Sequence, residues 1–245
     1  MRDTTILIPV IDINENILEY LNKAILSVKR AQQENTPQVM VIVPDTLDNV
    51  IFEQSYVNVL VNNTGKFDFA SQINFGVTKV STKYFTVLEF DDELSEAYFD
   101  NFKIFMEKYE ASIYLPLIVE LKDGQGLVKI TNEFPWSKTF IEDDNFGYIT
   151  NKQLQDFSYF YISGGLINTE DFVSVGMLKN KLDVTCVYEF LLRVTFNNKK
   201  VFVVPKIGYL HRIDRDGSAT KTYAAKYDKN TIQEQYRLAK NEYIL

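Results

Sequence analysis

The chain has 245 residues with 26 Lys+Arg against 33 Asp+Glu, a formal net charge of −7. It therefore lacks the broad basic face that a general nucleic-acid binder needs to displace counterions from phosphates. With 46% hydrophobic and 24% charged residues it has enough apolar material for a core and too little charge for disorder. Its one cysteine, Cys186, excludes an intramolecular disulfide and a Cys-rich zinc site. No run approaches the roughly 20 apolar residues of a membrane span, and Pro9 and Asp12 interrupt the first apolar stretch where a signal peptide would be continuous. The expectation is a soluble, cytoplasmic protein.

Residues 4–10 form a compact apolar run that suits a strand buried on both faces. Over 14–30, Ile17, Leu18, Leu21, Ala24, Ile25 and Val28 recur at helical spacing behind Asn14 as an N-cap. A second apolar run, 39–43, ends in a polar turn over 44–49. Strand, helix, strand opens a parallel sheet with right-handed crossovers. The alternation continues with a strand over 57–61, a loop over 62–66, a helix over 69–77 and a strand over 84–88. Residues 95–108 read as an amphipathic helix and 112–121 as a strand. The stretch 122–151, with Gly124, Gly126, Pro135 and Trp136, reads as an irregular excursion. Beyond it, 159–163 is short and apolar, 169–175 and 187–195 are helical, and 201–204 is a strand. A last helix over 231–245 carries Ile232, Tyr236, Ala239 and Tyr243 at helical spacing. In open α/β sheets ligands bind beyond the carboxyl ends of the strands. Attention therefore falls on Asp45 and on the acidic run from Glu89 to Glu93.

The order of these segments resembles the GT-A fold of family 2 glycosyltransferases, inverting enzymes that use nucleotide sugars. The resemblance spans about residues 4–220. It is carried by the opening strand Ile6-Leu7-Ile8-Pro9-Val10 and by Val41-Ile42-Val43-Pro44-Asp45. It continues through Asn63-Thr64-Gly65 with the helix Ala70 to Gly76, and the strand Tyr84 to Asp92 leading into an acidic signature. Ser163-Gly164-Gly165 and His211-Arg212-Ile213-Asp214 complete it. The resemblance implies a single α/β domain, a GT-A-like Rossmann-type mixed and mainly parallel sheet flanked by helices. Residues 1–230 form the glycosyltransferase domain, with 1–121 the nucleotide-binding half and 122–230 the acceptor-side half; 231–245 is a docked C-terminal helix. The chain departs from the family pattern where Glu89 is the first acid of a Glu-x-Asp signature, where Ile73 stands in place of Arg, and where Cys186-Val187 stand in place of a catalytic Glu-Asp pair.

A sugar diphosphate brings concentrated negative charge to an acidic protein, which an interposed Mn2+ or Mg2+ on oxygen ligands would offset. The resemblance implies Asp91 and Glu89 as metal ligands, with His211 and Asp214 as further candidates. It implies Pro9, Val10, Asp45, Asn74, Gly76, Glu89 and Asp91 around the nucleotide sugar, and Gly164, Gly165 and Trp136 on the acceptor side. Glu189 and Asp183 are the carboxylates closest to the missing base position. Each has a plainer reading: Asp92 and Glu93 suit a helix N-terminus, Asp45 an Asx turn, Gly76 helix packing, Trp136 core filling and a lone histidine a structural hydrogen bond. The partners expected are a nucleotide-sugar donor, UDP-type favoured, and an acceptor of unspecified chemistry. The competing expectation is a glycosyltransferase-like module without catalysis that serves as a structural or interaction protein, as a homo-oligomer or in a larger assembly. A nucleotidyltransferase would open with a Gly-rich basic loop, which residues 8–14 do not form.

Overall fold

The computed structural model describes residues 3–11, 16–32, 36–47, 54–138, 145–213 and 225–244. Among them, a mixed α/β fold is built on one ten-stranded sheet. Strands β1 (Thr4–Pro9), β2 (Gln38–Pro44), β3 (Val57–Asn62) and β4 (Tyr84–Val87) lie parallel in the order β3-β2-β1-β4. The sheet continues through β9 (Leu166–Asn168), β6 (Ile113–Lys122), β10 (Val201–Arg212) and β5 (Glu93–Leu94). The short β9 runs antiparallel to both β4 and β6, and β10 runs parallel to β6. Strand β7 (Gly126–Thr131) pairs on β6 and β8 (Tyr148–Ile149) on β10.

Period-2 alternation in the strands feeds two cores. Leu7, Met40 and Ile42 face one side, packing with helices α2 (Phe69–Val77), α6 (Cys186–Phe196) and α7 (Lys229–Glu242). Ile6, Ile8, Val39, Val41 and Val43 face the other, against α1 (Ile17–Ala31) and α3 (Tyr98–Met106). Burial on both faces explains why β1 and β2 read as continuous apolar runs. Two short helices, α4 (Asn151–Asp156) and α5 (Thr169–Ser174), complete the first side.

Several elements differ from the sequence expectation. The stretch 122–151, expected to be irregular, carries β7, which pairs back on the expected strand β6 through a turn that needs the positive φ of Gly124 and Gly126. Helix α3 begins at Tyr98 instead of residue 95, because Glu93 and Leu94 pair with Leu210 and Tyr209 and the Ser95 hydroxyl donates to Ile207 O. Residues 201–204 are the start of a strand that runs on to Arg212, past Pro205 and Gly208, through two register shifts. The expected cap Asn14 lies outside the described residues.

The C-terminal helix docks through a buried ion cluster that corrects one functional expectation. Glu189 is 0% exposed. Its carboxylate accepts from Arg193 Nε at 2.9 Å and Nη2 at 3.0 Å, from Lys179 Nζ at 2.9 Å and from Tyr243 Oη at 2.6 Å. Arg193 in turn donates to Val175 O and Met177 O. Burial alone would raise the Glu189 pKa; the bonds from Arg193, Lys179 and Tyr243 outweigh it and hold it low. A general base must reach the proton that it removes, and this carboxylate is enclosed and saturated with donors. Glu189 is therefore a structural hub. Removing one partner of a buried ion pair strands the others, so Glu189→Gln should lower the unfolding free energy by about 3 kcal/mol in urea titrations. A loss under about 0.5 kcal/mol, the range of an ordinary surface substitution, would contradict this role.

Candidate functional site

Strands β1, β2, β3 and β4 end on one edge of the sheet, and β10, parallel to β6 and hence to β4, ends there too. At the end of β4 the Leu88 N–H still donates to Leu7 O, after which the chain turns. The Asp92 N–H donates to Glu89 O at 3.1 Å, closing a four-residue turn. Phe90, 1% exposed, anchors that turn in the core. Beyond it, the pairing of Glu93 and Leu94 with Leu210 and Tyr209 sets Asp92 beside His211.

The turn gathers Glu89, Asp92 and His211 so that one ligand atom of each lies within 4.8 Å of the others. Asp92 is fully enclosed: Oδ2 pairs with His211 Nδ1 at 2.8 Å and Oδ1 accepts the Arg212 N–H at 2.7 Å. Glu89 is half-buried; Oε1 accepts from the Ser163 hydroxyl at 2.7 Å, and its N–H donates to Tyr209 Oη at 2.9 Å. Gly164 follows Ser163 at φ 70°, with its N–H on Val87 O. A Cβ there would lie 2.5 Å from the Tyr209 ring. A Cβ on Gly165 would meet Leu115 and Ile162 O. The two glycines thus let the loop lie flat on Tyr209 and deliver Ser163 to Glu89.

The charges are mutually tuned. Burial pushes the Glu89 carboxyl up to about 7, helped by the charges of Asp92 and Asp91 and opposed by His211 and the Ser163 hydroxyl. For His211, burial pulls downward, but the charge and hydrogen bond of Asp92, with Glu89 and Asp91 behind them, raise it to about 9. Two carboxylates and an imidazole supply the oxygen and nitrogen donors that suit Mn2+, whereas an imidazole is a poorer partner for Mg2+. The donor chemistry therefore fits a divalent transition ion.

The other expected residues are placed as follows. Asp91 is half-buried and near enough to raise both Glu89 and His211, yet it is not one of the three that gather. Asp92, read from sequence as a helix cap, caps nothing: α3 starts six residues later. Asp214 lies outside the described residues. Asp45 stands exposed at the end of β2 on the same edge, opening a 3-10 turn. Pro9 and Val10 are buried at the end of β1; Val10 gives its N–H to Ile42 O and accepts from Gln72. The Asn74 amide is committed to the backbone of Leu178, donating at 2.8 Å and accepting at 3.1 Å, so it pins that loop and is not open to a diphosphate. Gly76 faces the sheet, where a Cβ would meet Ile42 at 2.4 Å. Trp136 is half-buried, with its Nε1–H on Val203 O and its ring in edge-to-face contact with Phe202 and Phe146, which fits the core-filling reading. Asp183 is held low, burial being outweighed by Lys226 and Tyr227, which both bond its Oδ2. In the sequence Ser163 stands out only as part of a glycine loop, and Tyr209 carries no signal of its contribution. A cleft of about 600 Å3 opens at the opposite edge among Lys83, Tyr109, Asn168 and Lys200, and it contains no acid–imidazole group.

Comparison with solved structures shows that this chain shares its fold with TarS from S. aureus. TarS 1–349 from S. aureus in complex with UDP-GlcNAc aligns with a TM-score of 0.68 at 15% identity, covering 98% of this chain and 65% of that one. The same TarS fragment with UDP aligns at a TM-score of 0.62 and 12% identity, again over 98% and 65%. S. aureus TarS itself aligns at 0.61 and 13%, over 87% of this chain and 37% of that chain. This chain thus spans just under two thirds of the TarS fragment. No family model and no curated protein matches the sequence. Among the described residues no helix is long and apolar enough to cross a membrane.

The raised Glu89 value has a signed consequence. A carboxyl whose folded pKa of about 7 exceeds its ordinary 4.5 costs stability as pH rises through that window, because the unfolded chain ionises it more easily. In metal-free buffer Glu89→Gln should therefore raise Tm at pH 8 relative to wild type, at roughly 2–4 °C per kcal/mol, and the gain should shrink at pH 5. Calorimetry giving the same difference at both pH values would contradict the tuning.

Proposed function

We propose that this chain transfers a sugar from a nucleotide-diphosphate donor, UDP-type favoured, to an acceptor with inversion, using a bound Mn2+. The observation that carries the reading is the Glu89–Asp92–His211 group, set at the carboxyl edge of a sheet whose structural neighbour was solved with UDP-GlcNAc. In this reading residues 1–121 hold the nucleotide, with Asp45 at the base, and 122–230 face the acceptor; the last helix is a brace. Glu89, Asp92 and His211 would hold the ion, with Asp91 as an acid beside them. When bound, the ion supplies Lewis-acid stabilisation of the departing diphosphate.

The residues of the chain do the rest. Ser163 and the Tyr209 hydroxyl fix the Glu89 side chain and backbone, and Arg212 N–H fixes Asp92, so the ligands are oriented before anything binds. In the transfer, an acceptor oxygen bonds the anomeric carbon as the bond to the diphosphate oxygen breaks; the electron pair leaves with the nucleoside diphosphate and the hydroxyl proton passes to a base. A specific observation favours the second reading, a module without catalysis: Glu189 and Asp183 are both engaged in ion clusters, and Cys186-Val187 offer no carboxylate.

Isothermal titration of UDP in the presence of Mn2+ tests the donor reading. Wild type should bind UDP only with the metal, and Asp92→Asn or His211→Ala should weaken binding about tenfold or more, a loss of about 1.4 kcal/mol; Asp91→Asn should lose less. UDP affinity that ignores both the metal and these substitutions would overturn the proposal. Metal-dependent binding without release of UDP from UDP-sugars would favour the inactive module.

A further inference from the structure

Two amides with no exposed surface, Asn62 and Gln72, form a network that the transfer chemistry does not use. Asn62 is the last residue of β3, and Gln72 sits in α2. Asn62 Nδ2 donates to Gln72 Oε1 at 2.8 Å and to Lys66 O at 3.0 Å, while its Oδ1 accepts from the Thr64 N–H at 3.0 Å and the Thr64 hydroxyl at 2.8 Å. All four hydrogen-bonding positions of this side chain are filled. Gln72 Nε2 then donates to Val10 O at 2.8 Å, just past the end of β1. The Val10 N–H bonds Ile42 O on β2. The Asn62–Gln72 side-chain pair therefore ties Val10, just past β1, to the loop after β3, and the Val10 N–H adds a backbone bond to β2.

Such an arrangement needs a reason. A buried amide is costly unless every polar atom is paired, and an aliphatic pair would fill the same space with no directional demand. What the amides add is fixed spacing: the loop over 62–66, which includes Gly65 at φ 72°, is held from inside by Asn62 while its outer residues Asn63, Thr64 and Lys66 stay exposed. A loop clamped from within and open without is pre-organised for a ligand, and pre-organisation lowers the entropy lost on binding. The acid–imidazole group stands apart from this network, at the ends of β4 and β10.

We infer that Gln72 and Asn62 are positioning residues for the nucleoside half of the donor, fixing Val10, just past β1, relative to the 62–66 loop that follows β3. This rests on the proposed nucleotide-sugar function and adds a division of labour: the amide network sets affinity for the nucleoside, and the acid–imidazole group sets affinity for the metal. Gln72→Met removes both amide bonds at nearly constant volume; Gln72→Glu keeps the acceptor for Asn62 and loses the donor to Val10 O.

The test measures Mn2+ alone and uridine alone by calorimetry on wild type and both variants, well below their melting temperatures. Each variant should weaken uridine about tenfold, one factor of ten being a single lost buried interaction, while Mn2+ affinity stays within about twofold, a change too small to signal a lost interaction. Unchanged uridine affinity, or equal losses for uridine and Mn2+, would overturn the inference. If wild type binds neither UDP nor uridine, it is the nucleotide-sugar reading that fails. Should the variants not fold, amide exchange on wild type decides: the Thr64 N–H should be protected before UDP is added and little changed after, and an unprotected Thr64 N–H in the free protein would overturn the inference.

Discussion

The site depends on how three acidic groups are kept close together without repelling one another apart. Glu89, Asp91 and Asp92 leave β4 within four residues, and the turn that closes on Glu89 O folds their charges into one space. Like charges at such separations destabilise the fold. His211, arriving on β10 from three strands away, neutralises part of that charge through Asp92. The sheet order makes this pairing available: the antiparallel β9 lies between β4 and β6, and β10 then runs parallel to β4, so both carboxyl ends meet on one edge. A pair so arranged is incomplete as an electrostatic unit. Burial first, and then the neighbouring acids, push the Glu89 carboxyl up to about 7, and a cation at this turn would favour its ionised form.

Much of the fold was legible in the sequence because its physical signals are local. Runs buried on both faces, such as β1 and β2, and the helical spacing of Leu21, Ala24, Ile25 and Val28 do not depend on partners far away. What was not legible depends on pairing. The two-residue β5 exists only because β10 is beside it, and this pairing delays the start of α3. Strand β7 is hidden by glycines that read as irregularity and are turn residues at positive φ.

The same distinction holds for the site. The resemblance points to Glu89 and Asp91. In the structure the chain turns at Phe90, and it is Asp92 that gathers with Glu89 and His211. Glu189 carries a local signal of its own: it lies four residues before Arg193, and the i, i+4 spacing that pairs acid and base on a helix points to the ion pair that the structure shows. Asn74 and Gly76 sit where the resemblance expects them in sequence, but their side-chain and Cβ environments belong to the Leu178 backbone and to Ile42. The glycine pair after Ser163 was noted for its acceptor-side resemblance, and its physical role is to clear the Tyr209 ring.

Two rigid features thus bracket the carboxyl edge of the sheet: the amide chain from Val10 to Lys66, and the acid–imidazole group from Glu89 to His211. Both are preset by hydrogen bonds that no ligand supplies. The most direct test of the central claim is anomalous diffraction from crystals grown with Mn2+ and UDP. The account predicts a manganese peak bounded by Glu89, Asp92 and His211, with the diphosphate against it. Strong UDP density whose ion is absent, or held by other residues, would contradict it.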